Sequence, residues 1–198
     1  MIKFSNLSQE IPYLKFKAEY DKAAALNQEN IEAICISSFS KSLNEVNSRF
    51  VNLKFLNKNN FIFFSNYNSP KSQEFQEHNQ ITALFYWNRA NIQIRLKGLI
   101  KKTPIQFNDD YFFNRSKEKN ALALSSAQSE KIDSYKSVEK NYNKYMETGN
   151  LKICPEYWGG YSFIPYYFEF WEGHQSRLNK RDVYEMKENE WHHSILQP

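Results

Sequence analysis

The chain has 198 residues, a formal net charge of +4 and 17% aromatic residues, which bounds it to one domain with a sizeable core. A charge this small suits acidic small-molecule ligands and is low for a dedicated nucleic-acid binder. No apolar run approaches the length of a membrane span and the N-terminus lacks a signal-peptide core, so the expected location is the cytoplasm.

In chain order, residues 12–27 read as an amphipathic helix, with Leu14, Ala18 and the apolar residues 23–26 at helical spacing. A strand follows over 31–37, then a polar, turn-like stretch over 39–48. Residues 49–56 alternate, with Val51, Leu53 and Phe55 on one face and Phe50, Asn52 and Lys54 on the other. The Asn-rich run 57–60 makes a hairpin turn into a short apolar strand over 61–65. A short helix is expected over 71–78, strands over 81–87 and 92–101, and a helical region starting at 109–115. A polar helix spans 130–146. Closing strands are expected over 161–164, 167–171, 182–187 and 191–196. No repeat, linker or boundary divides the chain, so residues 1–198 are taken as a single domain. Many short strands with turn signals and a few helices predict a mainly β, antiparallel barrel with flanking helices. Cys35 and Cys154 have no metal-type spacing and read as two reduced, buried thiols. His192 and His193, adjacent on a strand, point to opposite faces and suggest no metal site.

Several side chains could carry chemistry. Arg49 and Lys54 have opposite parity on one strand, so both reach one ligand only across a bend or bulge. Taken alone they are also two ordinary edge-strand cations. Ser69–Lys71 sits at a strand–turn–helix start, where hydroxyls, amides and a cation can meet a phosphate. Gln93 offers both a donor and an acceptor to a heteroaromatic ring. Tyr111 and Arg115 share a helix face. Ser129 reads as the N-cap of the following helix. No paired acid and base and no activated nucleophile stands out, so no catalytic side chain is assigned.

Six ordered segments resemble one family, the pyridoxine/pyridoxamine 5′-phosphate oxidases, across roughly three-quarters of the chain. They are Arg49-Phe-Val-Asn-Leu-Lys54, Phe61-Ile-Phe-Phe-Ser-Asn-Tyr-Asn-Ser-Pro-Lys71, Asn91-Ile-Gln-Ile-Arg-Leu-Lys-Gly98 and Tyr111-Phe-Phe-Asn-Arg115. Ser125-Ser-Ala-Gln-Ser129 and the C-terminal pair Glu169-Phe-Trp-Glu-Gly173 and Arg177-Leu-Asn-Lys-Arg181 complete the set. The resemblance implies an FMN-binding split β-barrel and a homodimer with FMN at the subunit interface. It assigns FMN to Arg49, Lys54, Phe64, Ser65, Ser69, Lys71, Gln93, Gln128, Ser129, Trp171 and Arg181. It assigns the substrate to Lys54, Tyr111, Arg115, Lys119, Arg177 and Asn179. In the family a hydride leaves the substrate for the flavin and oxygen takes the electrons on, so the redox chemistry belongs to the cofactor.

Four positions depart from the family pattern. Pro70 replaces an arginine that binds the flavin phosphate, a loss of about 1.5–3 kcal/mol, or roughly ten- to a hundred-fold in affinity. Lys119, Asn179 and Lys180 replace a serine, a histidine and an aspartate on the substrate side. The leading expectation is oxidation of pyridoxamine or pyridoxine 5′-phosphate to pyridoxal 5′-phosphate. A related flavin oxidase acting on another acidic ring, as in phenazine-type metabolism, is the alternative. A barrel that only stores flavin or binds nucleic acid is the third reading.

Overall fold

The computed structural model describes all 198 residues. Ten strands form one continuous sheet with five helices around it. The strands are β1 (Lys3–Ser5), β2 (Ala33–Ser40), β3 (Glu45–Asn52), β4 (Phe55–Asn57), β5 (Asn60–Asn66), β6 (Gln80–Trp87), β7 (Ile92–Lys102), β8 (Trp158–Glu172), β9 (Lys180–Lys187) and β10 (Glu190–Ile195). The helices are α1 (Ile11–Ala25), α2 (Pro70–Glu77), α3 (Ile105–Phe113), α4 (Lys117–Ser125) and α5 (Tyr135–Thr148). The main order is β1-β4-β5-β8-β7-β6-β2-β3, with β9 and β10 branching from β8. Every pairing is antiparallel except β1 with β4, which is parallel. No helix is long and apolar enough to cross a membrane.

The strands form because apolar side chains recur at every second residue. Ile92, Ile94 and Leu96 of β7 are buried, as are Ile81, Ala83 and Phe85 of β6. Helix α1 lies against this face through an aromatic stripe. Pro12, Tyr13, Phe16, Tyr20 and Ala23 are its buried residues, whereas Leu14 and Ala18 are exposed on a face nearly half a turn away, so the expected face is corrected. The aromatics win because they bury more area, about 1.5–3 kcal/mol for a side chain such as Phe16. The Phe16 ring meets Phe61 at 5.1 Å, Phe85 at 5.4 Å and Trp87 at 5.8 Å. Tyr20 Oη accepts from the Ile2 amide at 3.2 Å and so anchors the N-terminal strand.

Four local expectations need correction. The turn expected over 39–48 is only Lys41–Asn44, because Phe39 and Ser40 still pair with Val46 and Glu45. The strand expected over 49–56 is two strands, β3 and β4, separated at Leu53–Lys54. The two strands expected over 161–171 are one, continuous through Pro165. There the β7–β8 register shifts at Lys97/Gly98, and a Cβ on Gly98 would sit 2.8 Å from the Ile164 carbonyl oxygen. The helix expected over 130–146 begins at Tyr135, capped by Ser134, whose hydroxyl accepts from the Ser137 amide at 3.2 Å. Ser129 is therefore not its cap, and is free for another role.

Candidate functional site

A cleft of about 530 Å³ opens where β3, β5 and α2 meet α3 and the loop after α4. It is lined by ten of the residues picked from sequence: Arg49, Lys54, Phe64, Ser65, Lys71, Tyr111, Arg115, Lys119, Gln128 and Ser129. The break between β3 and β4 supplies the bend that lets Arg49 and Lys54 reach one space. Pro70, which stands in place of the family's phosphate-binding arginine, lines the same cleft.

One end is built by the β5-to-α2 turn. The Asn66 carbonyl accepts from the hydroxyls of Ser69 at 2.7 Å and Ser72 at 2.8 Å, and its side chain accepts from the Asn68 amide at 2.7 Å. Pro70 then starts α2 with its φ already set. This fixes Lys71 inward, 7% exposed, with Nζ donating to Ser65 Oγ at 3.2 Å and Ser69 Oγ at 3.3 Å. No carboxylate pairs with it within salt-bridge reach. Burial, helped by Arg49 and opposed by Glu74, brings the Lys71 pKa down to about 8. Ser69 is fully buried behind Lys71 and does not line the cleft, so its role is to hold that lysine. The Gln128 side-chain oxygen accepts from the Asn66 amide at 3.3 Å, and Ser129 takes φ +73° beside it.

The other end is aromatic and cationic. Phe64 stacks on Tyr111 with centroids 3.8 Å apart, and on Trp158 at 5.1 Å. The Arg115 guanidinium lies 4.9 Å from the Trp158 ring and donates to the Lys119 carbonyl at 2.9 Å. Burial lowers the Lys54 pKa, Glu32 at 3.9 Å opposes this, and the nearby Lys119 and Arg115 add to it. Burial likewise lowers the Arg115 pKa. Three cations thus face one space against a single carboxylate, Glu32 beside Lys54, which is the electrostatic form of an anion site.

Gln93, Trp171 and Arg181 lie elsewhere. They line a shallower hollow of about 370 Å³ with Leu84, Arg95, Glu169 and Pro198. Gln93 pairs with Trp171 in register, and both alternate with core residues, so they point away from the barrel interior. Arg49 points to the opposite side, in register with buried Ile36. Arg49 and the Gln93–Trp171 pair therefore lie on opposite faces of the sheet in one chain, and the cleft and the hollow share no lining residue. Arg181 is held by Glu169, donating from Nε at 2.9 Å and Nη2 at 2.7 Å, and by the Gln197 carbonyl at 2.9 Å. Glu169 is 3% exposed and also takes Arg95 and the Tyr167 hydroxyl. Burial raises its pKa, but the hydrogen bonds from Arg95, Arg181 and Tyr167 outweigh that and leave it below the usual carboxylate value.

Arg177 and Asn179 sit in the β8–β9 turn and line neither space. Arg177 is exposed at φ +61°, and Asn179 Oδ1 accepts from the His174 amide at 3.0 Å. His193 pairs with Asp182 at 3.0 Å. Two residues with no role assigned from sequence matter here. Glu74 takes Arg49, and Glu169 takes Arg181; each is a buried acid opposite a motif arginine.

Comparison with known proteins settles the family. A pyridoxine/pyridoxamine 5′-phosphate oxidase of Legionella pneumophila is 35% identical over 189 residues, covering 94% of this chain and 87% of the relative. A second such oxidase, from Hydrogenovibrio crunogenus, is 33% identical over 178 residues, covering 89% and 82%. This chain belongs to the pyridoxine/pyridoxamine 5′-phosphate oxidase family. The family model described as the pyridoxine 5′-phosphate oxidase C-terminal dimerisation region matches residues 158–198, the β8–β10 segment of this oxidase-family chain. Two solved structures share its fold. PhzG from Burkholderia lata, in complex with tetrahydrophenazine-1-carboxylic acid, superposes with a TM-score of 0.89 at 24% identity, over 94% of this chain and 92% of that one. A pyridoxamine 5′-phosphate oxidase-related, FMN binding protein from Nostoc punctiforme gives 0.77 at 12% identity, over 96% and 99%. The split-barrel expectation for this family member is met.

Proposed function

We propose that this chain is a homodimeric FMN-dependent oxidase that converts pyridoxamine or pyridoxine 5′-phosphate to pyridoxal 5′-phosphate. The coarser part, a flavin oxidase, follows from family membership. The observation that carries the finer part is one cleft with two separate cationic ends. Lys71, buried with no carboxylate within salt-bridge reach, lies at one end; Lys54, Arg115 and Lys119 gather at the other.

The residues present fit FMN. A buried, depressed lysine flanked by two serine hydroxyls lacks an anion, and a phosphate would provide one. Arg49, Ser65, Lys71, Gln128 and Ser129 would hold the phosphate and its adjoining chain. Gln93, Trp171 and Arg181 would meet the ring from a second copy, because within one chain they line a separate hollow that shares no residue with the cleft. Two-fold symmetry then gives two equivalent sites. Bound FMN supplies the two-electron acceptor. The side chains position and bind: Tyr111, Arg115, Lys54 and Lys119 anchor the remote substrate phosphate, so that binding energy far from the reacting carbon fixes its orientation. Arg177 and Asn179, which line neither space within one chain, would approach the substrate from the partner. Arg177 there would cover the substrate ring.

A second reading keeps the flavin and changes the acid. Lys119 adds a cation at the substrate end, and Asn179 cannot titrate as a histidine would. The test is turnover of pyridoxamine 5′-phosphate by purified protein supplied with FMN in air. Formation of pyridoxal 5′-phosphate is expected. Bound FMN with no product transfers the case to another acidic ring substrate. A protein that takes up no FMN overturns the oxidase reading.

A further inference from the structure

Behind Arg49 lies a carboxylate that the proposed reaction does not use. Glu74, on α2, is 5% exposed. Its Oε2 accepts from Arg49 Nη2 at 2.7 Å and from the Ser38 hydroxyl, and its Oε1 accepts from Asn47 Nδ2 at 3.1 Å. Ser38 Oγ in turn accepts from Arg49 Nη1 at 2.5 Å. Much of the guanidinium's hydrogen-bonding capacity is therefore spent inside the protein, on the side away from the cleft. Arg49 and Lys71 bring two positive charges to this end, Glu74 brings one negative, and Pro70 brings none. A dianionic phosphate there would face one net positive charge.

We propose that Glu74 determines how strongly this cleft prefers a phosphorylated flavin to an unphosphorylated one, by anchoring Arg49 while cancelling half of the positive charge offered to the phosphate. The inference rests on the reading that this end takes the FMN phosphate. A buried charge is poorly screened by salt or water, so its field reaches the neighbouring site. An acid that served only to orient Arg49 would have the opposite effect on removal: the arginine would loosen and FMN would bind less tightly. The sign of the change thus separates a specificity role from a merely structural one.

The experiment is titration of flavin-free protein with FMN and with riboflavin, followed by quenching of flavin fluorescence, for the wild type and Glu74→Gln. Glutamine keeps the size and an acceptor for Arg49 and Ser38. Glu74→Gln should tighten FMN at least about fivefold and leave riboflavin within about twofold. The wild type should prefer FMN over riboflavin by less than about a hundredfold, since few charge-assisted contacts remain unspent. That ratio decides the matter even if the variant fails to fold. Weaker FMN binding by Glu74→Gln, equal changes for both flavins, or a wild-type preference above that limit would overturn the proposal. Wild type that binds neither flavin defeats the cofactor reading beneath it instead.

Discussion

Replacing Lys71 by methionine should make the flavin-free protein more stable and FMN binding weaker. Lys71 is 7% exposed, and burial brings its pKa from an ordinary 10.5 down to about 8. Holding it charged at neutral pH therefore costs the folded state about 3 kcal/mol. Methionine matches its shape and carries no charge. The variant forfeits two long hydrogen bonds, to Ser65 at 3.2 Å and Ser69 at 3.3 Å. These are worth about 1 kcal/mol together at such lengths, leaving a net gain of about 2 kcal/mol. The pH dependence has a definite sign. Between pH 8 and 10.5 the unfolded chain keeps the lysine proton and the folded chain has lost it, so wild-type stability rises with pH across that window. Urea unfolding of flavin-free protein at pH 7 and pH 10 reads both effects. Lys71→Met should gain stability at pH 7 and lack the wild-type rise. Its FMN affinity should fall about ten- to a hundred-fold, with riboflavin unaffected. Loss of more than about 1 kcal/mol at pH 7, with FMN affinity unchanged, would refute the view that Lys71 is a strained cation waiting for an anion.

Three further outcomes follow from the same structure. Glu169→Gln leaves Arg95 and Arg181 facing each other across the Gln93–Trp171 hollow without their shared carboxylate. Stability at pH 7 should drop about 2–3 kcal/mol in urea titrations. Because Glu169 has a lowered folded-state pKa, its contribution is complete above the ordinary carboxylate value. The gap between variant and wild type should therefore close as the pH falls below 4. Gly98→Ala would press a methyl group on the Ile164 carbonyl at the β7–β8 register shift and should cost about 2 kcal/mol by thermal unfolding; an unchanged melting temperature would contradict the close approach. Lys119→Ser should raise KM for a phosphate-bearing substrate about two- to fivefold with kcat held and reduce its salt dependence, since Lys119 is exposed. An unchanged KM would remove Lys119 from the substrate site.

Strand alternation was enough to place nearly every strand of the barrel, because burial on one face is a local pattern. The exceptions were interactions between distant segments. The parallel pairing of β1 with β4 and the extension of β3 back to Glu45 depend on partners that no short window contains. In α1 the spacing was right and the face was not, since aromatic area outweighed Leu14 and Ala18. For the site, motif order brought ten residues to one cleft. It did not reveal that Gln93, Trp171 and Arg181 line a separate hollow, although the parity of β7 already turned Gln93 away from Ile92 and Ile94. Glu74 and Glu169 were missed as partners because an acid among helix or strand residues carries no sign of which arginine it will meet. The nearest signal was Glu74 three residues after Lys71, on the same helix face.

In the proposed dimer, each flavin site joins the cleft of one copy to the outer hollow of another. Mixing two defective proteins tests it most directly. One carries Lys71→Met with Arg49→Gln in the cleft; the other carries Trp171→Ala with Arg181→Met in the hollow. Each alone should bind little FMN. After unfolding and refolding together, half of the dimers are mixed, and each mixed dimer regains one intact site. About a quarter of the wild-type FMN capacity should return. No recovery, from mixtures shown to contain mixed dimers, would contradict the account.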